Sequence, residues 1–600
     1  MVRKALSVAE KPSVAKELAA ILSNGTASSN NGVSRFNRVF EFKCTLDGGP
    51  CQMSMTSVLG HLMEMDFEEQ YRKWHSCAPA DLFDAPVRMA TREDNGCVDV
   101  RRNLEHAVRG CTELILWLDC DREGEAIGFE VMDACLAVVP RLRVRRARFS
   151  ALIPRDIHYA LANLVQPDSN QSEAVLARSE IDLRLGAAFT RLQTTALQNK
   201  FEGLDSLLSY GPCQFPTMWF VAQRADRIDA FTPEQFWQIQ LAHERIAEDG
   251  EALTVQFSWA RNRLFDRLAT IVLYEMCVNR GTASITGVTA KPTTKRRPCP
   301  LATVEFQRLA SSRLHISSDI SMEIAEKLYQ EGYLSYPRTE TDTFKQGFDL
   351  QSLIRAQLAD SRWSAYAQRL LDGDFQWPTP GGKDDNAHPP IHPCKPGANL
   401  QGDQAKIYEL VTRRFLACCS QDARGHETGA RREVWCEESC ARPRDVPVLV
   451  GVAHGCACKR LQPCRLTLCT PSPTRFSTAR PSSVVRAEMA GEEFSATGLM
   501  VIERNYLEIY TFDRWIARKI PTFYVGEHFE PTRLQMSEGS TSPPSYLSES
   551  DLIHLMETHG IGTDATSTRC DSPGYLGSPG RSLSVGSAGR GSVGRGGPRL

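Results

Sequence analysis

Leu114-Ile-Leu-Trp-Leu-Asp-Cys-Asp-Arg-Glu-Gly-Glu125 sets five apolar residues directly before an acidic turn. So short an apolar run, bounded by polar residues, predicts a buried strand. A helix is predicted after it, over 126–136, and carboxylates suit the positive end of a helix dipole. Strand, acidic turn and helix together predict an α/β domain with functional groups at C-terminal strand ends. The pattern recurs upstream. Ala5 to Ala9 is a short apolar run ending at Glu10, and Pro12 and Ser13 open a helix with Val14, Leu18 and Ile21 as its apolar positions.

Asp119, Asp121 and Glu123 alternate, so an extended chain would present all three to one side. Three carboxylates on one side repel unless a cation lies between them, and Mg²⁺ is a hard ion that takes oxygen ligands. A solvated acidic turn capping the next helix accounts for the same residues. Glu10 and Lys11 stand at the equivalent place after the first strand. Two strand ends of one α/β domain can meet in one crevice. There Glu10 can serve as a general acid or base and Lys11 as a phosphate clamp; a surface ion pair is the plain alternative.

Pro154 to about Gln198 reads as helical, with Arg178, Arg184 and Arg191 recurring along it. Phe231 to about Ala290 alternates like strands. Leu301 to Gly332 predicts two helices. The second is capped at Ser317 or Ser318, carries Ile320, Ile324 and Leu328 on one face, and ends at Gly332. A short strand, Tyr333 to Tyr336, then stops at Pro337. Tyr336 would stand at its tip with Arg338 on the same side. A phenol is a weak nucleophile at neutral pH and needs a cationic environment and a positioned phosphate to attack. A guanidinium can hold such a phosphate bidentately. A packing tyrosine is the other reading. Ala387-His388-Pro-Pro-Ile-His392-Pro393 holds two histidines on a rigid loop, but that spacing without further ligands is no zinc site.

The composition sets bounds on all this. At ~150 residues per domain, 600 residues suggest about four domains. Basic and acidic residues nearly cancel, 70 against 72, so nucleic-acid binding must come from local grooves. No apolar run approaches the ~18 residues of a membrane helix, and Met1-Val-Arg-Lys leads into no signal-peptide stretch. Thirteen of the 20 cysteines are scattered over the first 430 residues without paired spacing, as in a reduced, intracellular protein. No G-x-x-x-x-G-K-[ST] motif occurs, so nothing points to ATP. Two stretches differ in character. Residues 431–484 hold six cysteines among Arg-Pro and Ser-Pro steps, and residues 567–600 hold nine Gly, seven Ser and five Arg, a disordered composition.

Taken in order, seven motifs resemble those of type IA DNA topoisomerases, in particular the eukaryotic topoisomerase III, alpha-like group. They are Ala9-Glu-Lys-Pro-Ser13, Gly60-His-Leu62, Asp119 to Glu125, Ser209-Tyr-Gly-Pro-Cys-Gln-Phe-Pro-Thr217, Gly332-Tyr-Leu-Ser-Tyr-Pro-Arg-Thr-Glu-Thr341, Ala387 to Pro393, and His559-Gly-Ile-Gly-Thr-Asp-Ala-Thr566. The likeness covers about 1–430 and 485–566. It implies a multidomain α/β plus α+β toroid. A TOPRIM domain would span 1–153 and a helical DNA-binding domain 154–218 and 536–566. A β-rich arch would span 219–290, 403–430 and 485–535, and a winged-helix-like domain with the tyrosine 291–402.

The resemblance further implies ATP-independent cleavage of single-stranded DNA through a 5′-phosphotyrosyl bond, then strand passage and religation. Tyr336 would be the nucleophile, with Glu10, Lys11, Arg338 and His388 as catalytic partners. Asp119, Asp121 and Glu123 would hold Mg²⁺, and Arg178, Arg184 and Gln214 would line the DNA groove. Implied partners are single-stranded DNA, a RecQ-type helicase and an OB-fold accessory protein, with no membrane, and the implied location is the nucleus. RNA as the substrate is compatible with the same residues.

The sequence also departs from the family. Residues 431–484 have no expected counterpart. They lack the C-x2-C spacing of zinc knuckles and are read as intron or mis-joined exon translated in frame. The 567–600 tail reads as a shifted frame that cuts the fourth domain short and leaves out the zinc ribbons. Ala151 and Trp219 are smaller departures that could perturb the groove. The rival expectation is therefore a catalytically impaired single-strand-binding fragment.

Overall fold

The computed structural model describes residues 3–93, 96–198, 200–201, 206–246, 250–289, 291–427 and 484–562. The cysteine-rich stretch through 483 and the Gly/Ser/Arg tail lie outside them.

The N-terminal part is a six-stranded sheet. Its strands are β1 (Arg3–Ala9), β2 (Ser28–Asn30), β3 (Val39–Leu46), β4 (Gly49–Ser57), β5 (Glu113–Trp117) and β6 (Arg143–Arg146), in the order β2-β3-β4-β1-β5-β6. β4, β1, β5 and β6 run parallel, and β2 and β3 form the antiparallel edge. Both central strands are buried over 5–9 and 113–117, and mostly apolar there, because both faces are covered. Ala5, Ala9, Ile115 and Trp117 face one core, and Leu6, Val8, Leu114 and Leu116 face the other. Helix α1 (Pro12–Leu22) covers the first core with Val14, Leu18 and Leu22, while Ile21 is only partly buried. Helix α2 (Arg122–Leu136) covers the second, and it starts four residues before the predicted 126. The Asp121 side chain accepts the Gly124 N–H at 2.8 Å and so caps the helix early.

The stretch read as helical from 154 forms two helices, Pro154–Ala162 and the long α3 (Ser169–Gln198). Between 231 and 290 the chain forms strands at Gln235–Ile246, Ala252–Trp259 and Ala283–Thr289, with an unpredicted helix at Arg267–Arg280 capped by Asp266. These strands join Val484–Met489, Glu492–Ala496, His528–Phe529 and Arg533–Ser540 in a seven-stranded antiparallel sheet.

Helix α4 (Ser318–Gln330) begins where the serine cap was expected. Its buried face is set by Ser321, Met322, Ala325, Leu328 and Tyr329. Ile320 is turned outward at 50% exposure, so the predicted apolar face was off by part of a turn. The segment Tyr333–Tyr336 is not a strand. It is bent chain held by a bridge between Leu334 and Pro393 and by the Ser335 N–H donating to the His392 carbonyl at 3.0 Å.

The cysteines among the described residues are free. No helix among them is long and apolar enough to cross a membrane.

Candidate active site

Parallel pairing of β1 with β5 brings Glu10 and Asp119 to the same end of the sheet. A Glu10 carboxylate oxygen accepts the Asp119 N–H at 3.1 Å. The acidic loop then folds back on the first turn of α2. A Cβ on Gly124 would lie 1.9 Å from the Asp119 carbonyl oxygen, so only glycine fits there. Arg146 on β6 fixes the loop from beneath. It is 0% exposed and donates to the Leu118 carbonyl at 2.7 Å, the Asp119 carbonyl at 2.5 Å and Glu125 at 3.0 Å. The sequence reading missed this residue. The available signal was the run Arg143-Val-Arg-Arg146.

Two tyrosines close on the acids from the α4 side. Tyr329 donates its hydroxyl to Asp119 Oδ1 at 3.0 Å, and Tyr336 donates to Asp121 Oδ2 at 2.6 Å. Tyr336 is 5% exposed, lies edge-on to Tyr329, and packs on the His388 ring at a centroid distance of 4.3 Å. The Ser150 carbonyl accepts the Tyr336 N–H at 3.0 Å, and Ser150 Oγ lies 3.0 Å from His388 Nδ1. His388 Nε2 is buried and has no hydrogen-bond partner among the described residues.

The electrostatics follow from burial and crowding. Burial, then the nearby Glu10 and Asp121, hold the Asp119 carboxyl well above the usual range, with Lys11 offsetting part of this. Burial and the carboxylates of Asp119, Asp121 and Glu10 hold the Tyr336 phenol up and neutral. Burial lowers His388 to about 4, so its ring is neutral at pH 7. Burial works against the Lys11 ammonium, but Asp119, Glu10 and Glu326 outweigh it and its pKa is raised. Arg338 Nε and Nη2 donate to one oxygen of Glu326 at 2.8 and 2.5 Å, and Lys11 Nζ lies 3.8 Å from the other. Glu10, Lys11, Asp119, Asp121, Tyr336 and Arg338 thus line one cavity of about 520 Å³.

Glu123 lines the same cavity as Asp119 and Asp121, but its carboxylate is engaged by His61 and Arg178. It sits in the first turn of α2, where helical rotation replaces the period-two alternation on which the prediction rested. There it lies 3.1 Å from His61 Nε2 and accepts from Arg178 at 2.5 Å. His61 Nδ1 lies 2.7 Å from Glu130, whose other oxygen accepts the Leu62 N–H at 2.6 Å. Burial opposes the His61 charge, but Glu123 and Glu130 raise its pKa to about 9. Burial likewise opposes the Glu123 charge, and His61 and Arg178 lower it to about 2.

The His61 contribution to stability is complete below the unfolded value of about 6.5 and lost as pH rises through its folded value. That of Glu123 is present above about 4.5 and lost on acidification towards its folded value. Between pH 6.5 and 9.5 the protein should therefore lose on the order of 2 kcal/mol, after allowance for solvent screening, that a His61→Gln variant does not lose. Thermal denaturation across that range measures it, and parallel curves for the two proteins would refute it.

Of the arginines along α3, only Arg178 reaches the cavity. Arg184 is spent on structure: it donates to the Leu82 and Ala85 carbonyls at 3.0 and 2.8 Å and pairs with Glu180. Arg191 does the same to the Tyr71 carbonyl. Both pin the 71–85 segment against α3, so Arg184 is not placed as a groove residue. Gln214 starts the helix Gln214–Asp229, half-buried beside Gly211, away from the cavity.

Hard oxygen donors with excess negative charge suit Mg²⁺, and Glu10, Asp119 and Asp121 supply them. Tyr329 and Tyr336 each engage one oxygen of these acids. Among the described residues no three His, Cys, Asp or Glu side chains converge as a ready-made metal cage. The donor set therefore fits an ion held by one or two carboxylates with water and phosphate completing its shell.

A family model described as DNA topoisomerase matches residues 166–442 and 476–570, and a Toprim domain matches 5–152. The gap between the two matched segments, 443–475, lies inside the cysteine-rich stretch. The chain is 44% identical to human DNA topoisomerase 3-alpha over 94% of its own length, which covers 50% of that protein. It is 38% identical to DNA topoisomerase 3 of Schizosaccharomyces pombe over 94% of its length, which covers 82% of that protein. It thus spans about half the length of the human relative. Full-length topoisomerase I from Thermotoga maritima superposes with a TM-score of 0.63 at 20% identity, over 94% of this chain and 77% of that one, so the fold is shared. A Toprim sheet, a buried tyrosine closing on its acidic loop, and matches over nearly the whole chain lead to one assignment: the chain belongs to the DNA topoisomerase family, in its topoisomerase 3 branch.

Proposed function

We propose that this chain transiently cleaves and rejoins single-stranded DNA without ATP, using Tyr336 as the nucleophile. One observation carries the reading: the Tyr336 hydroxyl, 2.6 Å from Asp121, shares a cavity with Lys11 and Arg338. The Tyr336 oxygen attacks the scissile phosphorus and its proton passes to Asp121. The bond from phosphorus to the 3′-oxygen breaks, and Glu10 protonates the leaving oxygen. Lys11 and Arg338 bind the non-bridging oxygens, each such contact contributing about 3–4 kcal/mol to the transition state. His388 holds the Tyr336 ring by stacking. Asp119 and Asp121 would hold Mg²⁺, which neutralises phosphate charge. The phosphotyrosyl bond keeps the energy of the phosphodiester, so religation needs no further input.

Tyr336 is buried between the Toprim sheet and the 291–402 segment, so entry of a strand requires these parts to separate. Passage of a second strand through the break would relax or unlink DNA, with roles in recombination and repair. We propose a nuclear setting for this activity, with a RecQ-type helicase and an OB-fold protein as partners.

End-labelled oligonucleotides test the reading. After incubation and denaturation, 3′-labelled DNA should stay attached to protein and 5′-labelled DNA should not. Attachment of the 5′-labelled strand, or of neither, would overturn it. An RNA oligonucleotide in parallel reports the substrate class.

A further inference from the structure

Helix α4 presents two functional residues to the cavity, three positions apart and therefore on one face. Tyr329 donates to an acid, Asp119. Glu326 engages both bases: it accepts from Arg338 through two nitrogens, and Lys11 Nζ lies 3.8 Å away as an ion pair. Glu326 thus occupies both of the cations nearest Tyr336, in a cavity whose lining also holds Arg92, Arg178 and further carboxylates. A phosphate entering there would find Lys11 and Arg338 already paired while Glu326 keeps its hold. The Nε–Nη2 edge of Arg338 that Glu326 occupies is also the edge a guanidinium offers to phosphate.

We propose that Glu326 is a positioning residue that stands in for the scissile phosphate. It keeps the Lys11 and Arg338 side chains together, and the phosphate must displace it to bind. Glu326 thereby sets the affinity of the phosphate subsite and its response to salt. The proposal rests on the phosphate-binding reading of this cavity and adds to it an internal competitor.

The test measures binding of a fluorescent single-stranded oligonucleotide to the full chain carrying Tyr336→Phe, at a series of salt concentrations with EDTA present. Adding Glu326→Gln should strengthen binding about two- to fivefold at low salt, the range of one partly screened ion pair. The slope of log affinity against log salt should steepen by about 0.7, the increment for one more cation on a single strand. Glu323→Gln removes the same charge from an exposed site on α4 and should move neither quantity. Glu326→Ala, which favours the helix, gives a second route to the same result. If Glu326→Gln matches Glu323→Gln, or binds more weakly with a shallower slope, Glu326 is no competitor and the proposal is overturned. If the Tyr336→Phe parent itself fails to bind single strands, the phosphate-binding reading falls instead.

Discussion

Tyr336→Phe should reduce covalent adduct formation by about 10⁴-fold or more, the scale of removing an essential nucleophile, while single-strand binding persists. The structure makes this a sharp test because a second phenol lies close by. Tyr329 is edge-on to Tyr336 and also hydrogen-bonded to an acid of the same loop. The two differ in their surroundings. Tyr336 is two residues from Arg338, and its N–H is fixed by Ser150 on the Toprim side. Tyr329 is part of the helix and serves Asp119 as a donor. Tyr329→Phe should therefore retain adduct, and Tyr336→Phe should not. Gel electrophoresis of labelled DNA after denaturation reads both. Adduct that survives Tyr336→Phe and disappears with Tyr329→Phe would reassign the nucleophile. The cost of Tyr336→Phe to folding should be about 1 kcal/mol, one hydrogen bond to a charged acceptor offset by a gain in apolar fit.

Arg146→Met should destabilise the Toprim part by about 3–5 kcal/mol, the scale of breaking a buried ion pair from one side. The substitution leaves Glu125 buried without its cation and two loop carbonyls without their donor. Arg146→Lys should recover little of the loss, because a single ammonium cannot span three acceptors held by a planar guanidinium. The midpoint of the first transition in urea, followed through near-ultraviolet signals of buried Trp117, measures the effect. A shift worth less than about 1 kcal/mol would mean that water replaces the guanidinium. Since the Leu118 and Asp119 carbonyls belong to the acidic loop, loss of adduct should accompany loss of stability in this variant.

The Toprim sheet was legible because its central strands are apolar on both faces and its helices open with Pro12 and with the Asp121 cap. The pairing of Glu10 with the acidic loop was legible too, since it follows from two parallel neighbours. The His61 and Arg178 partners of Glu123 were not legible because alternation stops where a helix begins, and the helix began earlier than its apolar residues suggested. Arg184 looked like its neighbour Arg178, as spacing along a helix does not say which face meets another segment. Arg146 and Glu326 were missed for a related reason: their nearest charged partners lie 21 and 12 residues away, and neither falls in a motif. The helix at 267–280 was read as strand because its apolar residues are nearly all half-exposed and give no clean face.

The seven-stranded sheet has a consequence for how the chain folds. Strand Ala283–Thr289 pairs with Val484–Met489, so nearly two hundred residues must be made before that ladder can close. At common synthesis rates the wait is about 10–40 s, during which the early strands have an open edge. The thermodynamic toll of the long detour is nonetheless slight, because closure entropy grows only with the logarithm of length. The 33 residues that the family match skips between these strands add about 0.2 kcal/mol. This sheet should therefore accept additions between 427 and 484 at little cost to its equilibrium, and register them chiefly as delay.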